Sequence, residues 1–343
     1  GLSQIRGLDT SLYVYGEPLY NKKIVGDFIK VDSMIEIISP KQSKTSSSLV
    51  EYCNTFCTND YEKVRAFYTF IGNQVTYDSE KGKNRKKITR QLSAKETLSS
   101  KKGVCGDVAV LFKDLCKTAN IPFEYVVGYT KKPYQFWKPK RKDLDHAWNV
   151  VKIDSTWYLI DATWGMRKFT DQKKNVPDVN YLFFLAHPYL FIQNHLPADP
   201  NYQLMEYPFT FNFFKWHQFS SKKNRLYNNT KMDFNANLNN RLNLKWEDAI
   251  LQGALDAYHF NPKNKFIVGA ILLWYVDEVT DVKKQNKKKL DAEDYKLALK
   301  ILREAKNQVA KIEDKKTDGF IRYIDKQIGE LDKKRARLEK KKS

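Results

Sequence analysis

The spacing of apolar residues divides the chain into helical, strand and helical stretches. From Asp60, which is placed to cap a helix, Val64, Phe67, Tyr68 and Ile71 recur at helical intervals. A short helix over Ala94–Ser99 precedes Gly103, with the aperiodic basic run Lys81–Arg90 before it read as a loop. Val108, Leu111, Phe112, Leu115 and Ala119 make one apolar stripe, which predicts a helix over Val104–Ala119 stopped by Asn120 and Pro122. Three strands follow: Phe123–Tyr129, His146–Ile153 and Trp157–Ala162. The last two read as a hairpin. If Asp154 and Ser155 form its turn, Ile153 pairs with Thr156, and alternation puts His146, Trp148, Asp161 and Thr163 on one face.

Outside this block the pattern is weaker. Residues 1–45, with short strand-like runs at Ser11–Tyr15 and Met34–Ile38, read as an N-terminal extension. After Gly165 the chain is irregular and aromatic to about Phe219, and residues 222–243, rich in Asn and Lys, read as a loop or linker. Helical periodicity returns over Trp246–Phe260, Lys265–Val279 and Ala292–Ile312. A charged seam at Ile321, Ile324, Ile328, Leu331 and Leu338 closes the chain. The expected organisation is an extension over 1–45, an α+β domain over 46–220 and a mainly helical region with a basic tail over 221–343.

Composition adds limits rather than a function. The 343 residues are 42% hydrophobic and 14% aromatic, enough to bury a core, and no apolar run reaches the length of a bilayer span. Sixty Lys and Arg against 40 acidic residues give a formal charge of +20, gathered in Lys81–Arg90, Lys131–Lys142 and the C-terminal part. That charge suits a solvated surface or an acidic partner or anionic polymer. No nucleic-acid-binding signature accompanies it, so nucleic acid is the weaker option. The chain start, Gly1-Leu2-Ser3-Gln4, lacks the look of a signal peptide, which leaves both a cytoplasmic location and a secreted one with the leader removed.

The chemistry rests on one of four cysteines. Cys53, Cys57 and Cys116 read as small buried hydrophobes, and no second pair at metal-ligand spacing exists, so neither metal nor cofactor is expected. Cys105 differs: it falls at a helix N-terminus, where the dipole favours a thiolate, between Gly103 and Gly106, which leave room for a substrate backbone. Of the five histidines, His146 opens a strand, whereas His187, His195 and His217 lie in aromatic, irregular sequence that suits structural roles, and His259 ends a helix. Asp161 interrupts an apolar strand; it can orient the His146 imidazole, or cap a turn at the strand end.

Gly103-Val104-Cys105, His146-Ala147-Trp148-Asn149 and Trp157–Gly165 resemble, in order and flanking residues, the three blocks of the transglutaminase-like superfamily. Tyr181–Leu185, His195–Pro200 and Gln203-Leu204 are similar to the segment that follows the core in its kyphoscoliosis-peptidase-like branch. The resemblance covers roughly residues 55–215. It implies a papain-like fold, with a nucleophile helix packed on an antiparallel sheet, and acyl chemistry through Cys105, His146 and Asp161 on a protein or peptide amide. Either a cysteine peptidase or a transglutaminase-type acyltransferase fits. The alternative is a catalytically silent scaffold or adaptor for an acidic partner. Gln91 and Tyr77 are candidates for a second oxyanion donor beside the Cys105 N–H, and Lys131–Lys142 for a loop flanking the cleft. Nothing resembles the calcium sites of animal transglutaminases.

Overall fold

The computed structural model describes residues 26–83, 92–131, 144–166, 179–216, 231–244, 246–261, 264, 290–310 and 317–340. The chain divides into two units, Gly1–Pro197 with Asn201–Asn235, and Ala198–Pro200 with Ala236–Ser343.

The first unit is α+β. Helices α1 (Phe28–Glu36), α2 (Ser46–Asn54) and α3 (Asp60–Gln74) lead to a two-residue strand β1 (Thr76–Tyr77) and a short helix α4 (Ser79–Lys83). Then come α5 (Ala94–Ser100), β2 (Lys102–Gly103) and the central helix α6 (Cys105–Thr118). Strands β3 (Phe123–Thr130), β4 (His146–Ile153) and β5 (Thr156–Ile160) are followed by a single helical turn, α7 (Ala162–Gly165). After α8 (Pro188–Phe191), strand β6 (His195–Pro197) completes an antiparallel sheet of order β5-β4-β3-β6, and α9 (Phe211–Trp216) lies beyond it.

The main core forms where α6 lies on the sheet. Val108, Leu111, Phe112, Leu115 and Cys116 of α6 are buried against Phe67, Phe70 and Ile71 of α3 and against Val151, Ile153, Tyr158 and Ile160 of the sheet. The Asn149 amide donates 3.2 Å to the Ala109 carbonyl and so pins β4 to α6. Charge follows the α6 dipole, with Asp107 in its first turn and Lys117 in its last. The helix ends as Asn120 takes φ 57° and the Ile121 N–H returns to the Cys116 carbonyl at 2.9 Å.

The predicted hairpin register holds. Ile153 pairs with Thr156 and Asn149 with Ile160, around Asp154 and Ser155 at φ 47° and 68°, a primed turn that suits the twist of the two strands. Strand β5 stops at Ile160, however, instead of continuing to Ala162. Asp161 leaves the ladder to cap α7, because its Oδ1 accepts the N–H groups of Thr163 (2.9 Å) and Trp164 (3.1 Å). No strand pairing of His146 with Thr163 therefore forms.

Four local expectations are corrected. Met34–Ile38 is not strand-like: Met34, Ile35 and Glu36 end α1, and Val31 and Ile35 are buried in the main core. Asn59, not Asp60, caps α3, its side chain accepting the Glu62 N–H, and Asp60 supplies charge to the first turn. Lys81, Gly82 and Lys83 belong to α4 rather than to a loop, and residues 84–90 lie outside the described residues. Within the expected linker over 222–243, Phe234–Leu242 is a helix, α10.

The second unit is helical among its described residues. Helix α11 (Trp246–Phe260) is followed by α12 (Ala292–Ala310) and α13 (Thr317–Glu339). Arg241 is buried between Asp199 (2.6 Å) and Asp256 (2.5 Å). Buried Leu299 and Leu302 of α12 and Ile324 and Leu331 of α13 form the seam between those two helices, tied by Arg303–Asp332 and Lys306–Asp325 pairs. The expected helix Lys265–Val279 lies outside the described residues. Among the described residues no helix is long and apolar enough to cross a membrane.

Candidate active site

Cys105 is the first residue of α6 and is half-buried, with Val104 as the N-cap. Valine has no side-chain acceptor, so the start of the helix is held from elsewhere. Asp107, fully buried in the first turn, accepts the Val104 N–H (3.0 Å) and the Lys81 ammonium (2.7 Å) on Oδ2, and the Leu92 N–H (2.7 Å) on Oδ1. Gly103 pairs with Tyr77 across β1 and β2, and a Cβ on it would stand 2.9 Å from the Cβ of Asp107. The expectation that Gly103 leaves room for substrate is corrected: Asp107 occupies that room.

His146 is the first residue of β4, and its Nε2 lies 2.7 Å from Oδ2 of Asp161. A carboxylate accepts, so Nε2 carries the hydrogen. Nδ1 is then the nitrogen that can exchange a proton with the Cys105 thiol, which also hydrogen-bonds His146. Burial disfavours the charged imidazole, but the charges of Asp161 and Cys105 and the hydrogen bonds to both outweigh it and raise the His146 pKa to about 10. For Asp161 burial favours the neutral acid. The His146 cation and the hydrogen bonds from His146 and His195 overcome it and hold the carboxyl well below the usual range.

His195 is the residue that sequence reasoning missed. Strand β6 pairs Thr130 with His195, and this brings a second imidazole, fully buried, to the same oxygen: its Nε2 lies 2.9 Å from Oδ2 of Asp161. Phe191 stacks on its ring (centroids 4.2 Å apart, 25° between planes), and Trp164 lies at 4.3 Å, Trp148 at 5.2 Å and Phe183 at 5.4 Å. Burial lowers its pKa to about 4 against the hydrogen bond and charge of Asp161, and the His146 cation adds to the fall. The signal available in the sequence was the block His195-Leu196-Pro197, which carries the resemblance without showing what the histidine touches.

The ligand atoms of His146, Asp161 and His195 lie within 4.8 Å of one another, the one such group among the described residues. Two donors on one tetrahedral ion at about 2.1 Å would stand about 3.4 Å apart. Both nitrogens are instead at hydrogen-bond distance from a single oxygen, the spacing of a hydrogen-bond network. Trp148 and Trp164 are buried and wall the two imidazoles. Gln91 lies outside the described residues, and Tyr77 packs over Gly82 of α4. Of the loop Lys131–Lys142 only Lys131 is described; its ammonium sits 4.5 Å over the Phe214 ring, and burial lowers its pKa to about 8.

Comparison with known proteins finds likenesses to part of the chain. Residues 47–162 match the family model of the transglutaminase-like superfamily. Kyphoscoliosis peptidase of Mus musculus is 34% identical over 152 residues, 44% of this chain and 23% of that protein. Its counterpart in Homo sapiens is 31% identical over 185 residues, 53% of this chain and 27% of that protein. The chain thus spans only about a quarter of the length of these relatives. A solved chain from Cytophaga hutchinsonii, described as a candidate cysteine protease, is 31% identical over 40% of this chain and 43% of its own, with a TM-score of 0.28. What the comparisons establish is a likeness confined to one domain: residues 47–162 are similar to the transglutaminase-like superfamily.

Proposed function

We propose that the first unit catalyses thiol-dependent acyl chemistry on a protein or peptide amide, with Cys105 as nucleophile, His146 as acid and base, and Asp161 orienting His146. The observation that carries this reading is the continuous chain of contacts from a cysteine at a helix N-terminus through one imidazole to a buried carboxylate. In this reading the Cys105 thiolate attacks the carbonyl carbon, and the Cys105 backbone N–H is one donor to the oxyanion. The C–N bond then breaks as His146 gives its Nδ1 proton to the departing amine, leaving a thioester. Water or a second amine attacks the thioester, His146 takes up the proton of that nucleophile, and the thiolate is released. The name peptidase carried by both relatives supports water as the second nucleophile.

The test is mass spectrometry of a peptide library incubated with the protein, with and without a primary amine, beside Cys105→Ala. New peptide termini that Cys105→Ala does not produce support hydrolysis. Amine incorporation or deamidation of glutamine supports transfer or amidase chemistry. Identical spectra for both proteins contradict the enzymatic reading.

A second reading, a silent binding module, is favoured by one observation: His146 is only 8% exposed. It predicts an acidic partner whose binding is weakened by salt and survives Cys105→Ala.

A further inference from the structure

The mechanism above uses one of the two imidazoles on Asp161. The surroundings of His195 are those of an apolar side chain: Phe191, Trp164, Trp148 and Phe183 enclose it, and a phenyl ring would fill the same place. Burying a polar ring there carries a cost unless its nitrogens are matched. Both are. Nε2 faces Oδ2 of Asp161 at 2.9 Å, and Nδ1 faces the side-chain amide of Asn194 at 2.6 Å.

With Oδ1 of Asn194 toward Nδ1, both ring nitrogens of His195 would have to donate, which makes an imidazolium. The buried setting and the neighbouring His146 cation oppose that charge. The neutral Nε2–H tautomer satisfies both contacts once the Asn194 amide turns its NH2 toward Nδ1. Among the described residues, the other titratable groups facing this network are Cys105, through His146, and Tyr68 of α3, whose hydroxyl donates to the Asn180 carbonyl at 2.6 Å and feels the Asp161 charge.

We propose that His195 is a positioning residue: its Nε2–H, donated to the oxygen that also receives His146, fixes the Asp161 carboxylate and takes up part of its negative charge, so that the proton on His146 stays transferable to the leaving amine. The four hydrogen bonds on Asp161, two backbone N–H groups on Oδ1 and two imidazoles on Oδ2, leave the carboxylate no freedom to rotate. A carboxylate facing His146 alone would hold the imidazolium more tightly and slow the proton's return. This inference rests on the proposed triad for its catalytic consequence and on the observed contacts for the coupling itself.

The test compares His195→Phe, which fills the cage without a donor, and His195→Gln, which keeps an N–H, in the full chain. Cooperative thermal unfolding checks folding. The primary readout is the His146 titration followed by NMR of isotope-labelled histidine, which needs no turnover. In His195→Phe His146 is expected to titrate at higher pH than in the unmodified chain. Amide turnover should fall about ten- to a hundredfold in kcat with KM within about twofold. His195→Gln should restore both. An unchanged His146 titration in His195→Phe overturns the proposal and leaves a packing role. If His195→Phe does not fold, His195→Met takes its place under the same two outcomes. A shifted titration in a chain that turns over no amide supports the coupling and counts only against the proposed activity.

Discussion

Oδ2 of Asp161 stands 2.7 Å from Nε2 of His146, while Oδ1 of the same carboxylate caps the turn that begins at Ala162. The two contacts use different oxygens of one side chain, so capping the strand end does not exclude holding the imidazole. Asp161→Asn keeps the size but presents His146 with a neutral amide. The expected result is a loss in kcat on the order of 10⁴-fold, with a stability loss of about 3–5 kcal/mol from the unpaired His146 cation. Turnover and urea midpoints measure the two effects separately.

The same three groups set a pH optimum for stability. His146, raised from 6.5 to about 10, contributes fully below pH 6.5, and that contribution is lost as pH rises toward 10. His195, lowered from 6.5 to about 4, contributes fully above pH 6.5, and that contribution is lost as pH falls toward 4. Asp161, held below its ordinary value of 3.8, adds a further loss at still lower pH. Lys131, lowered to about 8, works against His146 between pH 8 and 10.5, so variants separate the terms better than one curve does. Urea midpoints from pH 4 to 10 should show a flatter acid limb in His195→Phe and a flatter alkaline limb in His146→Gln. Parallel curves for all three proteins would count against the assignment.

Gly128 lies between the two strands that carry the histidines, paired with His146 on β4 and with Pro197 on β6. A Cβ there would sit 2.3 Å from the Leu196 carbonyl oxygen and 2.4 Å from the Trp148 ring. The backbone contact cannot yield as a flexible side chain would. Gly128→Ala is expected to cost about 1–3 kcal/mol and to part β3 from β6. The check is a lower melting temperature together with a changed His195 ring signal in NMR. A wild-type melting temperature contradicts this packing.

Asp107 holds the start of the helix that carries Cys105, the proposed nucleophile. Removing its carboxylate leaves the Val104 and Leu92 N–H groups and the Lys81 ammonium without that acceptor. Asp107→Ala should cost about 3–5 kcal/mol. Asp107→Asn, which can still accept from one side, should cost less. Chemical denaturation of the two variants decides, and equal, small losses would contradict the role.

Much of the domain was legible because its signals are local. The stripe from Val108 to Leu115 gave α6, and Asp154-Ser155 set the register that carries Asp161 toward His146. What escaped depends on contacts far apart in the chain. His195 sits on a three-residue strand whose partner is β3, so neither periodicity nor spacing announces its approach to Asp161. The helix over Phe28–Glu36 was hidden because Ile29 and Ile37 are exposed, which blurs its apolar face. A glycine two residues before Cys105 suits a substrate-facing role by sequence, whereas the buried Asp107 side chain fills the space beside Gly103.

The proposed activity requires an activated sulfur at Cys105, and alkylation by iodoacetamide at mildly acidic pH measures that directly, with Cys53, Cys57 and Cys116 as internal standards. Burial raises the Cys116 thiol, and a hydrogen bond to Cys57 followed by burial raises Cys53, so both should react slowly. The predicted result is labelling of Cys105 at least about tenfold faster than of the other three, falling to their level in His146→Ala. A Cys105 rate that matches theirs in the unmodified chain, or that stays unchanged without His146, would contradict it.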